Sequence, residues 1–306
     1  MTCKSGSHTC VNLTAEFTKA VTDYLLVETE LAPADVALVF GSNGRKALAN
    51  KAADLYHKKL VKKIIVSGGV KRDFSKTEAE KFRKAISRLK KHEPIQYIIG
   101  ETEFFDLNFK VTPDVLIPRP ETEDLVRWII QDQHKTNLDV LDLCTGSGCI
   151  AISLSKYLKD ATVSALDIST SALAIAKENA ENNNTNIHFL LKDILASDSL
   201  PQHYDVIVSN PPYVRNLEKD LMSNNVLEHE PHLALFVEDD NPLIFYNKII
   251  SLSKTHLKPN GTLYLEINEF LGEATQALLD SDSFTNIELK KDIFGKDRML
   301  KATLTL

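Results

Sequence analysis

The chain has 306 residues, 43% of them apolar and 25% charged, a globular balance long enough for one full domain and a smaller partner, which excludes disorder, collagen and disulfide scaffolds. No apolar stretch approaches the ~18 residues of a membrane helix, and residues 1–10 are polar, so a cytoplasmic protein without membrane contact is expected. The net charge of −6 divides into +8 over residues 1–93 and −14 over residues 94–306, and the acidic body argues against direct nucleic-acid binding. Cys3, Cys10, Cys144 and Cys149 lack Cys-x-x-Cys spacing, so they read as free thiols and no metal site is expected.

In chain order, Phe17, Val21, Tyr24 and Leu25 recur at helical spacing. An apolar run at 36–40, the turn Gly41-Ser42-Asn43-Gly44, a helix marked by Leu48, Ala52, Leu55 and Tyr56, and a second apolar run at 64–66 together read as one parallel βαβ unit. With Thr77-Glu78-Ala79-Glu80 behind it, this passage resembles the opening of the YdcF/SanA-like family of small Rossmann-type proteins. That resemblance stops near residue 80. Thr77 and Glu80 form a capping box for a two-faced helix, with Phe82, Ile86 and Leu89 on one side and Lys81, Lys84, Arg88 and Lys91 on the other.

From Pro94 the texture becomes alternating strands and helices. Residues 103–111 alternate and 115–117 are apolar, so together they predict a small hairpin. Pro120, with Glu121 and Glu123 beside it, opens a helix whose Leu125, Val126, Ile129 and Ile130 face inward.

A strand at 138–143 then runs into Cys144-Thr145-Gly146-Ser147-Gly148 and a helix, and the next strand ends in Asp167, 19 positions after Gly148. Two glycines let a ligand approach bare backbone, and an acid at the following strand tip can accept both hydroxyls of a ribose. This is a nucleoside-cofactor site, and by itself the motif fits NAD and S-adenosylmethionine equally. Asp193 and Ile194 follow the third strand, where an adenine ring would be bracketed by a polar group and an apolar face.

The fourth strand ends in Asn210-Pro211-Pro212-Tyr213, at the carboxyl edge where open α/β sheets bind ligands. Prolines have no N–H to give a ladder, so the Pro211 carbonyl and the Asn210 amide are free to face the cleft. Two such acceptors can hold both N–H bonds of a planar amide nitrogen while it attacks a sulfonium methyl, and they stabilise the charge that develops on it. Tyr213 would add an aromatic wall to the catalytic set Asn210, Pro211, Pro212 and Tyr213.

These stretches, together with 93–100, Pro118-Arg119-Pro120-Glu121-Thr122-Glu123, Glu230-Pro231-His232-Leu233-Ala234-Leu235 and 291–298, closely resemble the PrmC/HemK family of protein-(glutamine) methyltransferases over residues 92–306. The resemblance implies an α/β fold: a seven-stranded, Rossmann-like class I methyltransferase sheet with a small hairpin and an additional α/β N-terminal lobe. It implies S-adenosylmethionine as cofactor, met by Cys144, Thr145, Gly146, Ser147 and Gly148, by Asp167, Asp193 and Ile194, and by Asn210. Class I peptide chain release factors, through the glutamine of their Gly-Gly-Gln motif, are the implied protein substrate. A ribosomal protein or a base amino group is the alternative acceptor, and a non-catalytic fusion remnant the alternative role.

Cys144 departs from the glycine usual in the family, and Asn268 and Glu269 depart from a common glycine-containing pattern with little at stake for the chemistry. Only residues 82–91 resemble the last helix of the family's amino-terminal domain. The expected division is a lobe at 1–81, a connecting helix, hairpin and helix at 82–135, and the methyltransferase domain at 136–306.

Overall fold

The computed structural model describes residues 36–41, 63–68, 76–292 and 294–305. The expected helices around Phe17 and Leu48 and the turn at residues 42–44 lie outside them. Two compact units are present, residues 1–98 and residues 99–306.

In the first unit, β1 (Val36–Gly41) and β2 (Lys63–Gly68) pair in parallel, with Val36 opposite Lys63. Helix α1 (Lys76–Leu89) starts one residue ahead of the expected cap and exposes Lys81, Lys84 and Arg88 while Ile86 and Leu89 are partly covered. Arg88 Nε donates to Glu93 Oε2 at 2.7 Å, which ties the end of α1 to the following turn. A one-turn helix, α2 (Ile95–Ile99), comes next.

The second unit begins with a hairpin that differs from the expected one. β3 (Glu101–Phe104) and β4 (Leu107–Lys110) pair antiparallel within what reads as a single alternating strand, and residues 115–117 form none. The cause is the turn. Phe105 and Asp106 both take positive φ, +50° and +60°, the geometry of a two-residue hairpin loop that normally advertises itself with Asn-Gly or Asp-Gly.

Helix α3 (Pro120–Asp132), with proline in its first turn, leads to the main sheet. Its strands are β5 (Asp139–Leu143), β6 (Thr162–Asp167), β7 (Ile187–Leu191), β8 (Tyr204–Ser209), β11 (Leu257–Glu266), β12 (Phe284–Lys291) and β13 (Asp297–Leu304). A short parallel pair, β9 (Val214–Arg215) and β10 (Phe236–Val237), sits apart from it. The sheet order is β12-β13-β11-β8-β5-β6-β7. Its pairs from β11 to β7 are parallel, and β13 lies antiparallel between β11 and β12.

Crossover helices α4 (Cys149–Tyr157), α5 (Thr170–Asn182) and α7 (Ile244–His256) accompany the parallel strands; the short α6 (Asn224–His229) and α8 (Gly272–Gln276) lie in connections. Strand side chains alternate between faces, so Val140, Val206, Val208 and Tyr264 join Trp128 and Ile152 in one core. Leu141, Ile207, Leu263 and Leu265 join Tyr246 and Ile250 in the other.

Candidate active site

The strand order turns back between β5 and β8, the position in an open α/β sheet where a crevice opens. Register then decides which residues meet there. Leu143 pairs with both Leu166 and Ser209, and Ser209 pairs with Leu265, so the next residues lie at one level of the carboxyl edge: Cys144 and Asn210 just past their strands, Asp167 and Glu266 as the last residues of β6 and β11.

The loop after β5 turns on positive φ at Cys144 (+60°), Gly146 (+54°) and Gly148 (+82°). A Cβ at Gly146 would meet nothing within 4 Å, so its backbone faces open space. A Cβ at Gly148 would stand 3.0 Å from Ile152 Cδ1 and 3.2 Å from Ala176 Cβ, so this glycine lets α4 and α5 approach. Beneath the loop, Asp142 is fully buried. Its Oδ2 accepts from Thr145 Oγ1 at 2.5 Å and from the Ala151 N–H at 3.2 Å, while Oδ1 has no partner. Burial without a full set of donors pushes this carboxyl up to about 7.

Asp167 binds the loop from the tip of β6, its Oδ2 accepting from Gly146 N–H at 2.8 Å and its Oδ1 from Ser169 N–H at 2.9 Å. Each oxygen keeps a further lone pair for a hydroxyl. Burial raises this carboxyl above the ordinary range, against the pull of those N–H groups. Asp193 Oδ1 accepts from Leu195 N–H at 2.8 Å, and Ile194 beside it is buried.

Cys144, Gly146, Asp167, Asp193, Ile194, Asn210 and Pro212 line one cavity of about 310 Å³, the volume of a small-molecule site. Thr145 and Ser147 are buried behind the wall, Thr145 on Asp142 and Ser147 with its carbonyl accepting from Asn179 Nδ2 at 2.9 Å. Gly148 packs the helices, and Pro211 is buried outside the cavity lining. Tyr213 also lies outside that lining; its hydroxyl donates to Glu266 Oε1 at 2.9 Å, and burial beside this carboxylate drives the phenol far up.

These features fit a nucleoside cofactor. Bare backbone at Gly146, a strand-tip acid with unused lone pairs, and the apolar side chains of Ile168 and Ile194 suit an adenosyl group with a charged tail. A shallower groove of about 500 Å³ crosses β11, β12 and β13, but its Asp132, Glu288 and Lys301 are paired with one another.

Several supporting residues have roles that no local pattern in the sequence assigns. Asn268, expected to matter little, is buried and its Nδ2 donates to the Tyr213 carbonyl at 2.9 Å and to Glu218 Oε2 at 2.8 Å. Glu230 joins two segments that border the cavity: Oε1 accepts from Arg119 Nη2 at 2.6 Å and Oε2 from the Ile117 N–H at 3.2 Å. Thr122 and Glu266, hydrogen-bonded at 2.6 Å, lie 144 residues apart in sequence.

A mostly parallel sheet with β13 inserted antiparallel, a glycine loop after β5 and an acid at the tip of β6 defines a Rossmann-like class I S-adenosylmethionine-dependent methyltransferase. The Methyltransferase small domain family matches residues 123–234 and the PrmC N-terminal domain family residues 70–100, and the release factor glutamine methyltransferase of Flavobacterium psychrophilum is 56% identical over 218 residues, covering 70% of this chain and 76% of its own. The chain belongs to the release factor glutamine methyltransferase family. The Bacteroides thetaiotaomicron protein of that name is 50% identical over 218 residues, 71% of this chain and 78% of its own. Among solved structures, a methyltransferase from Pyrococcus furiosus is similar at a TM-score of 0.49 and 18% identity, covering 74% of this chain and 99% of that one. The amino-terminal match at 70–100 is wider than the expected stretch at 82–91.

Proposed function

We propose that this chain methylates the side-chain amide nitrogen of the glutamine in the Gly-Gly-Gln motif of class I peptide chain release factors. The observation that carries the reading is register: the Asn210-Pro211-Pro212-Tyr213 turn and the glycine loop leave adjacent strands side by side at one cavity. Bound S-adenosylmethionine supplies an electrophilic methyl group on a sulfonium centre. Cys144 and Gly146 would meet its methionine part on the loop that Thr145, Ser147 and Gly148 hold in shape, Asp167 would meet its ribose, and Asp193 with Ile194 its adenine.

An amide nitrogen is a weak nucleophile because its lone pair is conjugated with the carbonyl. Asn210 Oδ1 and the Pro211 carbonyl accept its two N–H bonds, orient the lone pair and stabilise the positive charge as the nitrogen–carbon bond forms. Pro212 and Tyr213 shape the wall around the acceptor. The methylated nitrogen then loses one proton to water; its acidity in the cationic form makes a protein base unnecessary.

Residues 136–306 are proposed as the methyltransferase domain, 82–135 as its connecting segment and 1–81 as a separate lobe. Parallel pairing of β1 and β2 supports reading that lobe as a YdcF-like fragment. We propose the cytoplasm as the working compartment, because release factors act on ribosomes there.

The test is transfer of labelled methyl from S-adenosylmethionine to purified release factor by the full chain and by Asn210→Ala. Label on the Gly-Gly-Gln glutamine, reduced on the order of 10²-fold or more in the variant, is expected from the loss of one charge-stabilising acceptor. Cofactor binding without transfer to any release factor would reject the assignment.

A further inference from the structure

Asn210 is bonded by one side chain from another element, which a second side chain holds in turn. Its Nδ2 lies 3.4 Å from Thr122 Oγ1 on α3, and Thr122 in turn donates its only hydroxyl hydrogen to Glu266 Oε2 at the end of β11, 2.6 Å away. Thr122 and Glu266 are 2% and 1% exposed, so the bond between them is shielded from water. Glu266 is held in turn through Oε1, which accepts from the Tyr213 hydroxyl at 2.9 Å.

The direction of this chain matters. Glu266 accepts from both Tyr213 and Thr122, so Thr122, with its one hydrogen committed to Glu266, can only accept at its other end. An Asn210 oxygen turned toward Thr122 would meet lone pairs; the amide nitrogen must face inward. Asn210 lines the cavity, and that orientation leaves Oδ1 for the cleft. The 3.4 Å separation is long for such a bond.

We propose that Thr122 and Glu266 are positioning residues that fix the amide of Asn210, so that its oxygen and not its NH₂ group meets the substrate nitrogen. This rests on Asn210 being the acceptor for that nitrogen. Without the relay, half of the amide orientations would put two donors against two donors, and the Michaelis complex would form with the wrong hydrogen bonds.

The test uses the full chain, Thr122→Val, which keeps the shape but cannot accept, and Thr122→Ser, which restores the hydroxyl. One readout is steady-state methyl transfer to release factor. Thr122→Val should lower kcat on the order of 10²-fold with KM values for both substrates within about threefold of wild type, and Thr122→Ser should recover most of the loss. The other readout needs no turnover: the ¹⁵N–¹H signals of the Asn210 side-chain amide, identified by their absence in Asn210→Ala, should move in Thr122→Val and return in Thr122→Ser. Unmoved amide signals, an unchanged kcat, or equal losses in the Val and Ser variants would overturn the proposal. Amide signals that move in Thr122→Val while the wild-type chain methylates no release factor would uphold the positioning and reject the substrate.

Discussion

Asp142 carries the largest unpaid polar cost beneath the glycine loop. One carboxylate oxygen has two donors and the other has none, at zero exposure. Its folded value of about 7 lies above the ordinary aspartate value near ~3.9, so the folded state binds more protons than the unfolded state between those limits. The sign follows: this group's contribution favours folding at low pH and declines as pH rises through about 7. Thermal unfolding of the unliganded chain between pH 5 and 8 should show that decline. Asp142→Asn keeps an acceptor for Thr145 and Ala151 and removes the ionisation, so its melting temperature should vary less over the same range.

At the scale of elements, the borders of the cavity are tied together by one side chain. Glu230, 3% exposed, binds the segment before α3 through Arg119 and Ile117, although 113 residues separate it from Ile117. Glu230→Ala would strand the Ile117 N–H and remove one bond of Arg119; Arg119 is partly exposed, which tempers the loss. A destabilisation of roughly 1–3 kcal/mol is expected, read in denaturant melts, together with weaker binding of S-adenosylhomocysteine in calorimetry.

These ties also explain what the sequence could and could not convey. The glycine loop, Asp167 and Asn210-Pro211-Pro212-Tyr213 were legible because each follows an apolar strand directly, and strand ends in a parallel sheet converge by register. The hairpin turn is not legible, because Phe105 and Asp106 take a positive φ that neither residue type announces. Thr122, Glu230, Glu266 and Asn268 were missed as supports because their partners lie far away in sequence, where spacing carries no signal.

At the scale of the whole chain, every residue lining the cofactor cavity belongs to the unit of residues 99–306, which also contains both apolar cores. A fragment of that span is therefore expected to fold and to bind S-adenosylhomocysteine within about threefold of the full chain's affinity, measured by calorimetry. A large loss would show that residues 1–98 contribute to cofactor binding. The same division separates charge: net +8 in the first unit and −14 in the second.

The order of the sheet also bears on how the protein is made. β13 is synthesised after every other strand, yet it occupies the second place, between β11 and β12. Until it emerges, β12 has no neighbour and one edge of β11 stands open, a template for pairing with another chain. Arg298, which reaches the Tyr213 hydroxyl at 3.5 Å, travels on that same strand. A polypeptide released early by a nonsense codon before residue 297 would thus lack both the strand that closes the sheet and the cation behind the turn at residues 210–213, and quality-control proteases would meet it with β11 exposed.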